Sequence, residues 1–597
     1  MRLALAQINP TVGDLSGNCR KITSFINRAA EAGADLVCFP ELALTGYPPE
    51  DLLLRSDFLA ANRKHLEDLA AFTKSFDPVV VVGFVDLEEG EVFNAAAVIH
   101  RGSLKGIYHK IFLPNYGVFD EKRYFQSGSR GLVFTFAGAN IGVTICEDIW
   151  HPVGPAVLEA RQARAQVLLN LSASPYHRGK QRQREKMLSV RAADQIACLA
   201  YVNLVGAQDE LVFDGNSMVF DEQGSLVARA AAFREDLLVV DLQTERVLRT
   251  RFHDLRHREF KMFAGVQGEV QQIFISPSSS KTHPLPAGPG PARAESKTAP
   301  EPNAASGLSH DAAEEAEIYA ALVLGVKDYV NKNGFSRVFV GLSGGIDSSL
   351  TAAIAVDALG PDRVTGIFMP SPYTSRESRE DARQLAANLK INFLEIPIQE
   401  ICEAYLAVLG RAFGAPPGDI TAQNLQARIR GNILMALTNQ YGGIVLTTGN
   451  KSELSVGYAT LYGDMAGGFA VLKDVPKTLV YRLSRYRNRL AGWEIIPRRV
   501  LEKAPSAELK PGQKDEDDLP PYNVLDQIVE KYVEGDLGPE EIAAEGYTRD
   551  LVRRVIDMID QSEYKRRQAP PGVKITPRAF GKDRRMPVTN RFRVTET

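Results

Sequence analysis

Three chemically useful side chains each follow a short apolar run in the first half of the chain. Glu41 lies in LVCFPELALTG, Lys110 in YHKIFLP and Cys146 in IGVTICEDIW. Strand ends are where sites form in α/β proteins, and a thiol with a free pKa of about 8.5 needs a nearby base or cation to react. Taken singly, each residue also fits a plain role: a buried cysteine filling space, a carboxylate at a helix start or a solvated surface charge.

The sequence around these residues resembles the nitrilase superfamily of carbon-nitrogen hydrolases. Its signature is a Glu after Phe-Pro, a Lys in a segment like His-Lys-x-x-Leu-Pro and a Cys followed by an acid, in that order. The resemblance implies that Cys146 attacks a carboxamide, forms a thioester and releases ammonia. Glu41 would accept the thiol proton and later activate water, while Lys110 would stabilise the oxyanion.

The same resemblance extends to residues around this triad. The segments GYPPEDLL, LPNYGVFDE and NLSASPYHRGK match most closely the glutaminase domains that are fused to NAD synthetases. The resemblance implies that Glu121 orients Lys110, and it implies four contacts to glutamine: Tyr116, Phe119, Ser174 and Lys180. Ordinary packing or solvated side chains remain the alternative at these positions.

The second half of the chain carries a Gly- and Ser-rich loop in RVFVGLSGGIDSSLTAAIA. Glycines let backbone N–H groups approach phosphate oxygens closely, and the following helix N-terminus adds partial positive charge. Asp347 and serines stand where a Walker A loop requires a lysine, and a carboxylate there indicates a magnesium ion bridging to phosphates. An ordinary strand-to-helix turn is the alternative. The predicted ATP contacts in the loop are Gly341, Leu342, Ser343, Gly344, Gly345, Ile346, Asp347 and Ser348.

The loop resembles the ATP pyrophosphatase family, in which ATP is split between its α and β phosphates. The resemblance implies that a carboxylate becomes an acyl adenylate, from which ammonia can displace AMP. Ammonia is what the first half would supply. Because GMP, asparagine and argininosuccinate synthetases and tRNA-thiolating enzymes share the loop, it leaves the identity of the acid open.

Two later stretches, 424–439 and 447–478, resemble the NAD synthetase family over their whole length. The resemblance implies deamido-NAD as the acid, ATP as co-substrate, Mg²⁺ as cofactor, and a homo-octamer with a tunnel for ammonia. Glu453 would be the second metal ligand beside Asp347. The positions implied to line the ATP, metal and deamido-NAD sites are Asn424, Arg428, Thr448, Glu453, Asp464, Lys473, Asp474 and Lys565.

The elements that would position these residues divide the α/β chain in two. Residues 276–309 are rich in Pro, Ala, Ser and Gly, which predicts a flexible linker between domains at 1–275 and 310–597. Before the linker, β-branched runs alternate with helical patterns, and the nitrilase resemblance implies an α-β-β-α sandwich. After it, alternating strands and helices predict a Rossmann-like parallel sheet.

Two helical patterns make specific predictions. An early helix has its apolar face at i, i+3, i+4 and i+7, formed by Ile22, Phe25, Ile26 and Ala29, and Gly33 is placed to end it. A later helix has an apolar stripe formed by Ile429, Ile433, Leu437 and Tyr441. This stripe leaves Asn424 and Arg428 free to face a ligand, although a solvated polar face would look the same.

The bulk composition argues against several classes. The 597 residues are 44% hydrophobic and 24% charged, which fits a soluble protein of several domains. The formal charge of −3 gives no overall electrostatic field that would attract nucleic acid. Five scattered cysteines form no CxxC pair and fit a reducing, cytoplasmic setting. No run reaches transmembrane length. We therefore expect small-molecule substrates and neither nucleic acid nor membrane as a partner.

Two rival functions remain. One is an amidotransferase that acts on a different adenylylated acid, which the 424–478 stretch opposes. The other is a synthetase that uses free ammonia and keeps the first half as a scaffold. A scaffold has little reason to retain Glu41, Lys110 and Cys146 together.

Overall fold

The computed structural model describes residues 1–254, 268–275 and 310–592. The chain divides into two compact units, Met1–Gln208 with Phe213–Ser306, and Asp209–Val212 with Gly307–Thr597. The predicted linker, 276–309, lies outside the described residues, so it and the domain limits on either side of it stay predictions. Within the described ranges, no helix is both long and apolar enough to cross a membrane.

Fifteen strands are described up to residue 275. They are β1 (Arg2–Gln7), β2 (Leu36–Cys38), β3 (Val79–Glu88), β4 (Glu91–His100), β5 (Ser103–His109), β6 (Arg130–Phe136), β7 (Ala139–Ile145), β8 (Val167–Ser172), β9 (Cys198–Asn203), β10 (Val205–Gln208), β11 (Leu211–Asp214), β12 (Met218–Phe220), β13 (Leu226–Arg229), β14 (Asp236–Asp241) and β15 (Glu269–Phe274). One sheet has the order β14-β1-β2-β3-β4-β5, a second has the order β13-β12-β9-β8-β7-β6-β15, and β10 pairs with β11 alone.

Strand β1 shows how side chains from one strand fill the cores on both faces of a sheet. Its side chains alternate between faces, as the two-residue period of a strand requires. Leu3 and Leu5 lie in the core shared by the two large sheets, whereas Ala4 and Ala6 lie in the core on the outer face of the six-stranded sheet. Small residues on that outer face let helices approach the sheet closely.

Helices cover the outer face of each sheet. The helices among the described residues of this unit are α1 (Leu15–Glu31), α2 (Ser56–Phe72), α3 (Pro155–Arg161), α4 (Lys180–Gln195) and α5 (Thr244–His253). Apolar residues of α1 and α2 pack on the six-stranded sheet, and those of α3 and α4 pack on the seven-stranded sheet. The predicted α-β-β-α sandwich is therefore confirmed.

The predicted apolar face of the first helix is also confirmed. Its four predicted residues are buried together with Leu15 and Asn18. The Asp14 side chain caps the helix by accepting from the Gly17 amide at 2.9 Å. Gly33 follows the last turn with φ of 71°, the left-handed conformation that commonly ends a helix.

A single five-stranded sheet organises the second unit. Its strands are β16 (Val338–Leu342), β17 (Val364–Phe368), β18 (Asn392–Glu395), β19 (Ile444–Thr447) and β20 (Phe469–Ala470). They run parallel in the order β18-β17-β16-β19-β20, which confirms the predicted Rossmann-like sheet. The order reverses around β16, and ligands bind at the carboxyl ends of strands at such a switch point.

The helices of this unit are α6 (His310–Lys332), α7 (Ile346–Leu359), α8 (Arg376–Leu389), α9 (Gln399–Phe413), α10 (Asp419–Tyr441), α11 (Lys451–Val456), α12 (Lys477–Ala491), α13 (Arg498–Glu502), α14 (Tyr522–Val529), α15 (Pro539–Ala544), α16 (Arg549–Gln561) and α17 (Glu563–Arg566). The stripe predicted on α10 is wrong at its end, because Tyr441 is 54% exposed. Ile429 and Leu434 are the buried apolar contacts of that face, and Ile433 and Leu437 are only partly buried.

Candidate active sites

Cys146 lies at the end of β7, where the strand turns sharply. It begins the 3₁₀ turn Cys146–Ile149, is buried, and has φ of 43°. A non-glycine residue is strained in this left-handed region, and such strain often marks a functional site. Asp148 holds the turn by accepting from the backbone amides of Ile145 and Phe112, each at 2.9 Å. The thiol is thus fixed on a rigid strand end.

The three predicted charged groups of this unit meet in one buried cluster. Lys110 Nζ donates to Glu41 Oε1 at 2.7 Å and to the two oxygens of Glu121 at 2.9 and 2.8 Å. Glu41 also accepts from Asn94 Nδ2 at 2.7 Å and from the Ala173 amide at 2.8 Å. Both oxygens of Glu41 are therefore held by hydrogen bonds, which restricts the rotation of the carboxylate.

Burial and charge set the protonation of this cluster. Burial alone would lower the pKa of Lys110, but the Glu121 and Glu41 carboxylates raise it well above its ordinary value, so the ammonium is retained. Burial raises the pKa of the Cys146 thiol well above its ordinary range; Glu41 adds to this rise and Lys110 opposes it. The thiol is therefore neutral near pH 7, and a nucleophilic role would require a base to take its proton.

The predicted glutamine contacts lie in three different surroundings. The Tyr116 hydroxyl donates to Glu147 at 3.1 and 3.0 Å, and its ring meets the edge of Phe119. Ser174 is buried directly after Ala173. Lys180 begins α4, with Nζ 4.2 Å from the centre of the Trp150 ring. Tyr116 and Phe119 thus come together beside the residue that follows Cys146, while the glutamine role of all four stays a prediction.

Sequence reasoning missed the residues that support this cluster. Asn94 was detectable as the single amide in the apolar run FNAAAV of β4. Tyr47, which donates to Glu121 at 2.9 Å, lies in the GYPPEDLL segment, but this contact was not visible from sequence because the two residues are 74 positions apart.

The Gly-rich loop connects β16 to α7, as its sequence predicts. Ser348 Oγ accepts from the Ser343 amide at 3.2 Å and donates to the Gly345 carbonyl at 3.1 Å. Gly344 has φ of 76°, and a Cβ there would lie 2.4 Å from the Ser378 carbonyl oxygen. The loop therefore needs glycine at position 344 both for its conformation and for its contact with α8.

A cavity of about 470 Å³ opens at this loop. All eight predicted loop residues line it, and so do five others predicted from the later stretches: Asn424, Thr448, Glu453, Asp464 and Lys565. Burial raises the pKa of Asp464 to about 6 and lowers the pKa of Lys565, whose Nζ donates to the carbonyls of Gly457 and Ala459. The loop, the two later stretches and Lys565 are four separate parts of the sequence, and all of them thus meet in one cavity.

Three predicted ligand residues lie outside that lining. Arg428 is exposed, with Nε donating to the Leu461 carbonyl at 3.2 Å. Lys473 is partly buried. Asp474 is buried and accepts from the amides of Ile575 and Thr576 at 2.8 and 2.7 Å, and it pairs with Lys451 at 2.9 Å. In this structure Asp474 ties the C-terminal segment to the unit.

Two carboxylates of the cavity converge on one cation. Lys477 Nζ donates to Asp347 Oδ2 at 2.5 Å and to Glu453 Oε1 at 3.1 Å, and Asn450 Nδ2 donates to the other Asp347 oxygen at 2.9 Å. Burial alone would lower the pKa of Lys477, but the two carboxylates raise it. Lys477 and Asn450 were not predicted, although both lie inside the 447–478 stretch.

This carboxylate pair fits a magnesium ion. Mg²⁺ prefers oxygen ligands, keeps several waters and is commonly held by one or two carboxylates plus substrate phosphates. Asp347 and Glu453 are close enough to share one cation, as their common contact with Lys477 shows. Among the described residues, no set of three or more His, Cys, Asp and Glu side chains forms a metal cluster. Phosphates would have to complete the coordination.

The contact of Gly344 with α8 gives a testable prediction. Because the sequence predicts that this loop holds the phosphates of ATP, we expect Gly344→Ala to lower kcat/KM for ATP by roughly 10- to 100-fold, since a methyl group there would push the loop away from Ser378. The matched control is Gly334→Ala, since Gly334 has the same φ of 76° but nothing within 4 Å of its Cβ position. Initial rates against ATP concentration measure both; equal losses would mean that backbone strain alone matters.

Two family profiles match separate parts of the chain. A family profile for carbon-nitrogen hydrolases matches residues 2–252, and one for NAD synthase matches residues 318–569. The fold and sites thus define a class of enzyme in which a carbon-nitrogen hydrolase is joined to an NAD synthase.

The glutamine-dependent NAD(+) synthetase of Thermotoga maritima is 50% identical over 593 residues, covering 99% of each chain. The chain belongs to the glutamine-dependent NAD(+) synthetase family. The Aquifex aeolicus enzyme of the same name is 49% identical over 99% of this chain and 100% of its own.

A solved structure extends this likeness. The glutamine-dependent NAD+ synthetase of Acinetobacter baumannii, in complex with ADP, has a TM-score of 0.71 at 41% identity and covers 99% of this chain and 98% of its own. The likenesses stated from sequence, to the nitrilase superfamily and to NAD synthetases, are confirmed.

Proposed function

We propose that this chain converts deamido-NAD, ATP, glutamine and water to NAD, AMP, diphosphate and glutamate. The observation that carries the proposal is that one chain holds two separate clusters of reactive side chains. One is the buried set of Cys146, Glu41 and Lys110; the other is the cavity at the 343–348 loop, with its paired carboxylates. Membership of the family supports the substrates.

In the first unit, Glu41 takes the Cys146 proton as sulfur attacks the glutamine carboxamide. The Lys110 ammonium, held by Glu121 and Glu41, faces negative charge as it develops on the carbonyl oxygen. Glu41 passes this proton to the departing nitrogen, so ammonia leaves, a thioester remains and Glu41 is again a carboxylate. Glu41 then removes a proton from water, which releases glutamate and restores the thiol.

In the second unit, the chain's residues position ATP for attack by the deamido-NAD carboxylate on the α-phosphate. Backbone N–H groups of the Gly-rich loop and the start of α7 face the phosphates, and Lys477 supplies positive charge. Asp347 and Glu453 would hold Mg²⁺, which when bound neutralises phosphate charge. Ammonia then attacks the acyl adenylate, so AMP leaves and the amide of NAD forms. The Acinetobacter baumannii relative's bound ADP supports the nucleotide role.

The cellular setting and the oligomeric state of the protein belong to the same proposal. All five cysteines are free, which supports a reducing, cytoplasmic setting. Helix α9 exposes Ile401, Tyr405 and Val408, which are spaced to share one face. An exposed apolar face of this kind favours a homo-oligomer. The octamer rests on the family resemblance.

The proposal is tested by mass spectrometry of the products from deamido-NAD, ATP, Mg²⁺ and glutamine labelled with ¹⁵N in its amide. We expect labelled NAD and AMP in equal amounts. Unlabelled NAD formed from ambient ammonia would refute the glutaminase role. ADP in place of AMP would refute the adenylate route.

A further inference from the structure

The turn that follows β8 contacts the proposed base of the glutamine reaction through its backbone. The Ala173 amide donates to Glu41 Oε2 at 2.8 Å, and the next amide, that of Ser174, donates to Asn203 Oδ1 at 2.9 Å. Asn203 is the last residue of β9, which pairs with β8 in parallel. Two successive N–H groups of one turn thus point at two different side chains, so the direction of the first depends on how the second is held.

Asn203 holds this turn with both ends of its side-chain amide. Oδ1 faces the Ser174 N–H, while Nδ2 donates to the Gly215 carbonyl at 3.0 Å and lies 3.5 Å from the Ser174 carbonyl. This is the orientation of the amide that satisfies both of its ends. Aspartate would turn an oxygen toward the two carbonyls, and serine is too short to reach both sides. The position therefore requires asparagine for its polarity as well as its shape.

A chain of hydrogen bonds fixes Asn203 in its turn. Its backbone amide donates to Ser217 Oγ at 3.0 Å, and Ser217 donates to Gln7 Oε1 from its own amide at 3.0 Å and from its hydroxyl at 2.9 Å. Gln7 Nε2 donates to the carbonyls of Ala231 and Arg234 at 2.6 and 2.8 Å. None of the three side chains in this chain of bonds has exposed surface.

The hydrogen-bonded chain joins the two large sheets of the unit. Gln7 is the last residue of β1 in the six-stranded sheet, and Asn203 is the last residue of β9 in the seven-stranded sheet. A buried polar network whose members are paired with one another is rigid and fixes one arrangement of its groups. The backbone at 173–174 is therefore held from both sheets.

The two oxygens of Glu41 depend on different supports. Oε1 accepts from the side chains of Asn94 and Lys110, whereas Oε2 accepts from the Ala173 amide. A rotation of the 173–174 peptide would withdraw that amide and let the carboxylate turn about Oε1. A general base must lie within hydrogen-bond reach of its proton, and a displacement of about 1 Å can cost about 100-fold in rate.

We propose that Asn203 is a positioning residue for the glutamine reaction, because it fixes the turn at 173–174 so that the Ala173 amide holds Glu41 ready to take the Cys146 proton. The inference rests on the proposed function. Asn203 itself exchanges no proton and forms no bond to sulfur. Since Glu41 acts both in the attack by the thiol and in the attack by water, the loss of Asn203 should fall mainly on kcat.

The first test measures glutamine hydrolysis and ammonia-supported NAD formation in the full chain. Asn203→Ala should lower kcat for glutamine hydrolysis by about 100-fold, with a smaller rise in KM, because the base is displaced. Ser217→Ala keeps Asn203 but removes the hydroxyl that holds it, and should lower kcat by about tenfold. Ammonia-supported formation should stay within about twofold of the wild type in both variants.

The matched control is Asn140→Ala in the same unit. Asn140 also accepts a hydrogen bond, from Thr135 Oγ1 at 2.8 Å, and donates one, to the Ala163 carbonyl at 3.2 Å. It lies at the opposite end of β7 from Cys146. Its loss removes similar hydrogen bonds without reaching the base, so kcat for glutamine should remain within about twofold of the wild type.

A second readout separates positioning from a general loosening of the fold. Peptide mass spectrometry follows the alkylation of Cys146 by iodoacetamide. A displaced Glu41 should slow this reaction by about tenfold in Asn203→Ala, because the neutral thiol needs a base, whereas loosening would expose the buried thiol and speed the reaction. The rate in Asn140→Ala should equal that of the wild type.

Faster alkylation in Asn203→Ala, or a kcat equal to that of the Asn140 control, would overturn the proposal. An equal loss of ammonia-supported formation would overturn it too, since the effect would then not be confined to the glutamine reaction. If Asn203→Ala does not fold, Ser217→Ala carries both measurements. A wild-type protein that does not hydrolyse glutamine would instead refute the proposed function, and the alkylation rates would still decide whether Asn203 positions Glu41.

Discussion

Cys146→Ala should reduce glutamine-supported NAD formation by a factor on the order of 10⁴ or more and leave ammonia-supported formation within about twofold of the wild type. The reason is that the Cys146 thiol forms the covalent bond to glutamine in the proposed mechanism, and alanine has no group that can do so. The nucleophile takes no part in adenylation. Parallel assays with glutamine and with ammonium chloride measure the two activities.

The matched control for this change is Cys19→Ala, in helix α1 of the same unit. Cys19 packs at the edge of the outer core and is only partly buried, so its loss should leave both activities close to normal. If Cys146→Ala lowers the two activities equally, the division of labour between the units is wrong. If glutamine still supports synthesis at the normal rate, Cys146 is not the nucleophile.

Local patterns predicted the parts of the fold that depend on short-range order. The first helix has a strong apolar face and polar residues elsewhere, so its four buried residues and its end at Gly33 follow from spacing alone. Helix α10 differs because one side faces a ligand cavity rather than an apolar core. Its buried positions include Gln426 and Gly431, so apolar spacing did not mark them, and Tyr441 was wrongly placed on the buried stripe.

The same dependence on local sequence explains which site residues could be predicted and which could not. A side chain that lies in a local motif, such as Asp347 in its Gly-rich loop, can be picked out from its neighbours in sequence. A side chain that acts by pairing is visible only when its partner is known. Lys477 lies 130 residues after Asp347. Only the folded sheet and its loops bring such pairs together.

Asp347→Asn should lower both glutamine- and ammonia-supported NAD formation by a factor on the order of 10³, because a neutral amide removes one of the two carboxylates suited to Mg²⁺. The change also turns an amide donor toward Lys477 or Asn450, which both donate to Asp347. Glutamine hydrolysis in the first unit should continue. NAD and AMP measured over a range of Mg²⁺ concentrations, with glutamate measured separately, give these values.

Asp362→Asn is the control, since Asp362 is exposed in the turn Pro361–Arg363 and leaves the cavity untouched. Partial recovery of the Asp347 variant at high Mg²⁺ is expected if the carboxylate binds the ion, because mass action offsets a weakened site. A loss that is the same at every Mg²⁺ concentration would mean that Asp347 acts only by holding Lys477. A normal rate would exclude both roles, since the charge that balances Lys477 would then have no consequence for catalysis.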